Sequence, residues 1–174
     1  MSELFEKSIR TLELPTVLSQ LSACAVSEAA REKCLRAFPA TDRDDVVRLL
    51  DETDAAKERM QLHGAPNFAG VKDVAAALQR ADQGGMLNTR ELLDIAGVLT
   101  AARRVQEYDA ERKGEATCID RLFSAIHTNR YLEDKIHSAI LDEESIADSA
   151  SAELSDIRRK MRIAATKGRQ ILQK

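Results

Sequence analysis

The feature that most constrains this chain is its final stretch, 148–174, where a Ser/Ala-rich lead-in runs into an amphipathic segment. Apolar or small residues fall at Leu154, Ile157, Met161, Ala164, Gly168 and Ile171, spaced alternately three and four apart. That is the stripe of a coiled-coil seam, narrower than the core-facing side of an ordinary globular helix. Neither a Gly cap, a Pro nor a polar stop follows before Lys174. A seam needs a second strand, so the sequence predicts a piece of a longer protein.

The rest of the chain also reads as helix. Three Pro and seven Gly in 174 residues mostly punctuate apolar runs of helical period. With six aromatics and no Trp, the core has to be built from Leu, Ile, Val and Ala, as in helix bundles. Apolar content of 44% and charged content of 32% are globular values, and exclude a disordered tail. The expected fold is all-α, a multi-helix body over 1–147 with a long C-terminal helix over 148–174.

Net charge is −3 but unevenly placed. Residues 151–174 carry seven Lys or Arg against Glu153 and Asp156, a local balance of +5 that leaves −8 on the preceding 150 residues. An acidic body does not bind nucleic acid by phosphate neutralisation, whereas the basic arm can. Cys24, Cys34 and Cys118 form no close pair, which predicts reduced thiols in small core positions and a cytoplasmic protein. No apolar run approaches the roughly 20 residues of a membrane span.

Local signals place the elements. Leu4, Phe5, Ile9 and Leu12 share one helical face, and Pro15 fits the first turn of the next helix. Ser27 caps a third, and Thr41 or Asp42 caps a longer one with a seam at Val46, Leu49, Leu50, Thr53, Ala56 and Met60. Residues 63–70 read as a loop with Phe68 tucked inward. A helix from about Val71 stops at Gly84-Gly85, and Asn88-Thr-Arg-Glu91 has the pattern of a capping box. That box opens a long helix with Leu92, Ile95, Ala96, Leu99 and Ala102 inward, interrupted at Gly114. Cys118, Leu122, Phe123 and Ile126 form the next face, and Asn129 caps another carrying Leu132, Ile136, Ala139 and Ile140. Residues 142–148 connect, briefly extended at Ile146, before Ser149 or Ser151 caps the terminal helix.

Chemistry-bearing patterns are scarce. Gly84-Gly85 lacks the Lys of a phosphate loop, and His63, His127 and His137 have no His or Cys one helical turn away to make a metal site. No catalytic, cofactor-binding or metal-ligating residue is therefore assigned. The basic arm is the one candidate surface. With Leu154 at position a, Lys160, Lys167 and Lys174 all fall at g, while Arg158, Arg162 and Arg169 line the other flank. These flanks suit pairing with an acidic helix. The alternative is phosphate contact, non-specific because no aromatic interleaves the charges. Self-pairing through the seam would oppose cations to cations or to neutral positions, so the expected partner is a different, more acidic strand.

Several stretches together resemble the bacterial MutS-II proteins. Arg10-Thr-Leu-Glu-Leu and Ala25-Val-Ser-Glu match their opening. Gly64-Ala-Pro-Asn-Phe-Ala-Gly-Val-Lys-Asp, Arg80-Ala-Asp-Gln-Gly-Gly-Met-Leu, Glu91-Leu-Leu-Asp-Ile and Ala101-Ala-Arg-Arg continue in order. Ile146-Ala-Asp-Ser-Ala-Ser-Ala-Glu-Leu-Ser-Asp-Ile-Arg closes the likeness, with Ala152 where the family commonly has Pro. These are MutS-like ATPases without the mismatch-reading domain, often ending in an Smr nuclease domain. The resemblance implies the N-terminal core and the root of a lever, itself without catalysis. It would link a homodimeric ATPase, which uses ATP and Mg elsewhere in the longer protein, to a clamp on branched DNA or collided ribosomes. The alternatives are direct docking on rRNA or DNA through the basic helix, or a helical dimerisation module.

Overall fold

The computed structural model describes residues 3–111 and 116–172, with side chains from Lys7 onward. Among the described residues the chain is all-α, nine α-helices joined by turns, with one isolated bridge pair and no strand. The expected fold class is therefore observed. Backbone contacts divide the chain into two compact units, one formed by 1–73 and 97–128, the other by 74–96 and 129–174.

In the first unit, α1 (Glu3–Thr11) and α2 (Leu14–Cys24) meet at Glu13, whose φ of 53° is left-handed. The Glu13 amide donates to the Arg10 carbonyl at 3.1 Å, and its own carbonyl accepts the Thr16 amide at 2.9 Å. One residue thus closes one helix and opens the next, with Pro15 in the first turn as expected. A left-handed non-glycine residue costs roughly 1–2 kcal/mol, and glycine returns part of that as backbone entropy. Glu13→Gly is expected to raise stability by up to about 1 kcal/mol, and Glu13→Val to lower it by about the same. Urea melts of the two variants check the opposite signs.

Ser27 caps α3 (Glu28–Leu35) by accepting the Ala30 amide at 3.2 Å. The α3 helix folds back on α2, with the Ser22 hydroxyl donating to the Arg31 carbonyl at 3.3 Å. Of the two candidate caps for α4 (Arg43–His63), Asp42 does the work, accepting the Asp44 and Asp45 amides. Gly64 ends α4 with a φ of +76°, and its carbonyl accepts the Tyr108 hydroxyl at 2.8 Å. The loop beyond meets α6 (Thr89–Ala110) through two glycines. A Cβ added to Gly97 would lie 3.1 Å from the Gly70 carbonyl oxygen, so backbone touches backbone. The next helix, α7 (Asp120–Ser124), is a single short turn. The interruption at Gly114 lies outside the described residues.

In the second unit, α5 (Ala75–Asp82) begins four residues later than Val71. It ends on the glycine pair as expected. Gly84, at a φ of +80°, donates to the Ala81 carbonyl, and Gly85 donates to the Arg80 carbonyl, both at 2.9 Å. This is the paired closure of a Schellman turn. The capping box also forms, Asn88 and Glu91 exchanging amide-to-side-chain bonds of 2.9 Å each way. Asn129 caps α8 (Arg130–Ala139) by accepting the Leu132 amide at 3.0 Å. The connector turns back on itself, pairing Ile140 with Ile146, before a 3-10 turn (Asp148–Ala150) and α9 (Ala152–Leu172).

Burial is shallow in both units. Ala101, Val105 and Ile119 are buried in the first, and Ile95, Ala96, Ile136, Ile140 and Ala147 in the second. Three expectations are corrected. Cys24 and Cys118 are exposed and Cys34 half-buried, so the free thiols are not core residues. The inward residue before α7 is Ile119, not Cys118, because Cys118 lies in the turn ahead of the helix. Phe68 points toward apolar neighbours but keeps 43% of its surface exposed.

Candidate functional site

The terminal helix begins where the Ser151 hydroxyl accepts the Leu154 amide at 3.1 Å, leaving Ala152 as the first helical residue. A Pro at that position would fit, since the first turn needs no amide donor. Of the seam, Leu154 is half-buried and the rest is open to solvent: Ile157, Ala164 and Gly168 are exposed, Met161 is 66% exposed and Ile171 73%. Nothing lies within 4 Å of a Cβ built on Gly168. Every residue from Arg159 to Leu172 is exposed.

The basic flanks divide into two classes. Arg158 donates to Asp148 Oδ1 and to the Ile146 carbonyl, the latter at 2.8 Å, and Arg162 donates to Asp148 Oδ2 at 3.0 Å. Asp156 accepts from Arg159 and pairs with Lys160, each at 2.7 Å. The guanidinium of Arg158, then that of Arg162, holds the Asp148 carboxyl below the usual carboxylate range. Asp156 is lowered by Lys160 and then by Arg159. For Lys167 and Arg169, by contrast, no ion pair forms among the described residues. Lys174, the third member of the lysine stripe, lies outside them. The helix is thus charge-compensated over its first half and bare over its second.

A second candidate, not recognised in the sequence, is an apolar groove of about 540 Å³ in the first unit. One wall is Leu49, Thr53, Ala56 and Met60, four of the six residues read as the α4 seam. Phe68, Tyr108, Leu122, Phe123 and further apolar side chains line the rest. At its base lies Arg59, whose side chain is 5% exposed. Its guanidinium donates to Asp109 at 2.7 Å, to Asp120 at 2.5 Å and to Thr117 at 3.2 Å. It also stacks 4.4 Å from the centre of the Phe123 ring. At the rim, Glu52 is held below its ordinary value by Arg121 and then Arg48, at 2.5 and 3.2 Å. With its polar groups mutually bonded, the groove offers packing surface rather than reactive groups. Among the described residues no cluster of metal-ligating side chains forms, and no helix is long and apolar enough to cross a membrane.

An all-helical segment with an unpartnered C-terminal seam is the class of molecule these observations define. No family model matches the chain. It is nevertheless 40% identical to a protein named Endonuclease MutS2 from Ruminiclostridium cellulolyticum, over 90% of this chain and 20% of that protein. Proteins of the same name from Lachnoclostridium phytofermentans and Bacillus cereus are 36% and 31% identical, over 93% and 98% of this chain. The chain spans about a fifth of the length of these curated relatives. The resemblance to MutS-II proteins therefore holds along nearly its whole length: this is a MutS2-like region.

Proposed function

We propose that this chain is a non-catalytic helical module of a MutS2-type protein, in which α9 carries the motion of an ATPase dimer to a clamp on nucleic acid. In that reading ATP and Mg are bound elsewhere in the longer, homodimeric, cytoplasmic protein, and the clamp engages branched DNA or collided ribosomes. The observation that carries it is the exposed seam. Burying each large apolar side chain is worth about 1.5–3 kcal/mol, so Ile157, Met161 and Ile171 call for a partner strand. From Ile157 to Leu172 the helix has six cations and no carboxylate, so the strand that fits is acidic. The relatives' greater length supplies room for such a helix.

Met161→Glu with Ile171→Glu separates the roles. In the isolated chain both positions are exposed, and the change in stability is expected to stay within about 0.5 kcal/mol. In a full-length MutS2-type protein carrying this region, the same pair is expected to uncouple ATP turnover from nucleic-acid binding. Retained coupling there would sink the lever reading.

The unpaired Lys167 and Arg169 favour a second reading, direct phosphate contact. With the proximal cations already paired, only about two phosphates are neutralised, and the log–log salt slope is expected near −2. A salt titration of duplex DNA binding measures it, and a flat response removes this alternative.

A further inference from the structure

The two arginines held by Asp148 are among those the sequence offers to phosphate, and in the structure they do something else. Arg158 and Arg162 are one helical turn apart on α9, and each takes one oxygen of the same carboxylate. Asp148 belongs to the 3-10 turn that precedes the helix, and Arg158 reaches further back, to the Ile146 carbonyl. Ile146 is itself pinned through its pairing with Ile140. The first three turns of α9 are therefore strapped to the segment they grow from. Asp148 and Arg162 remain 45% and 66% exposed, so a solvent anion can reach the cluster.

We propose that Asp148 is an anchor that sets the direction of α9 and, by the same bonds, withholds Arg158 and Arg162 from the phosphates of a nucleic-acid backbone. The two effects share one set of groups. A phosphate that takes the guanidiniums must displace the carboxylate, and releasing the carboxylate frees the helix root. Backbone engagement and helix direction are then linked, each shifting the other by the same coupling free energy. A carboxylate and a phosphodiester compete for the same forked donors, which makes the exchange chemically even-handed. This rests on reading α9 as the motion-bearing element, but its test involves neither ATPase nor clamp, so the two ideas fail separately.

The experiment uses the whole chain with Cys24, Cys34 and Cys118 replaced by Ser and spin labels at Ser138→Cys and Gln170→Cys, both exposed. Asp148→Asn keeps the side-chain shape and removes the charge. The label-to-label distance distribution is expected to broaden in the variant, and to broaden in the native chain only when a 20-base-pair DNA duplex is added well below the salt range over which the slopes are compared, where phosphate can displace the carboxylate. Two extra phosphate contacts add about −1.8 to the log–log salt slope, so between 50 and 200 mM salt the variant loses about twelvefold more affinity than the native chain. A distribution unchanged by the substitution overturns the anchor. An unchanged slope overturns the masking, and with it the linkage.

Discussion

Arg59→Ala is expected to remove about 3–5 kcal/mol from the stability of the first unit, a large part of what a domain this size possesses. The side chain is nearly inaccessible, yet it meets two carboxylates, a hydroxyl and an aromatic face. Its truncation leaves Asp109 and Asp120, each still partly shielded from water, without the charge that lies between them. It also opens a hole beneath Phe123. Arg59→Lys keeps the charge but offers a point donor where the site presents a planar fork. It is expected to recover only part of the loss. Urea unfolding of the three proteins measures this, and a truncation costing less than about 1 kcal/mol would show that water replaces the guanidinium without penalty.

Gly97→Val should be the other severe change. The α6 backbone at Gly97 approaches the Gly70 carbonyl so closely that a single added carbon sits at 3.1 Å from the oxygen. Gly70 holds a φ of +92°, where side-chain-bearing residues rarely go, so the close approach depends on glycine on both sides. A methyl group can be accommodated by a few tenths of an ångström of adjustment, and alanine gains about 1 kcal/mol of helix propensity over glycine. Gly97→Ala is therefore expected to be near neutral. Valine adds two branches at the same carbon and forces the loop away, at an expected cost of about 2–3 kcal/mol. Thermal melts of the pair check the contrast, and equal stability for both would mean that the contact is not held in solution.

What the sequence made legible was the punctuation. Ser27 and Asn129 cap the helices they were expected to cap, Asp42 and Ser151 are the caps out of the two pairs offered, and Asn88 with Glu91 forms a complete reciprocal box. These work because a short polar side chain beside an orphan amide is a local interaction, settled within four residues. Arg59 was invisible for the opposite reason. It lies among charged neighbours on α4, and its partners Asp109 and Asp120 follow 50 and 61 residues later. No periodicity marks such a residue as buried. The thiols were misjudged because their burial depends on which helices pack on which. For α9, spacing gave the seam and composition gave the cations. Which cations are spoken for followed only once the turn at 148–150 brought Asp148 beside Arg158 and Arg162.

The bare outer half of α9 makes the chain its own reporter. A lone helix of a dozen or so residues is marginal in water, since nucleation is costly and there is no packed face to repay it. Its outer turns, from Ile163 to Leu172, are exposed, and beyond Arg162 no ion pair holds them among the described residues. Limited tryptic cleavage should thus begin at Lys167 and Arg169, while the strapped Arg158 persists. A bound partner strand would move the first cut away from this segment, so the cleavage ladder reads occupancy of the seam directly.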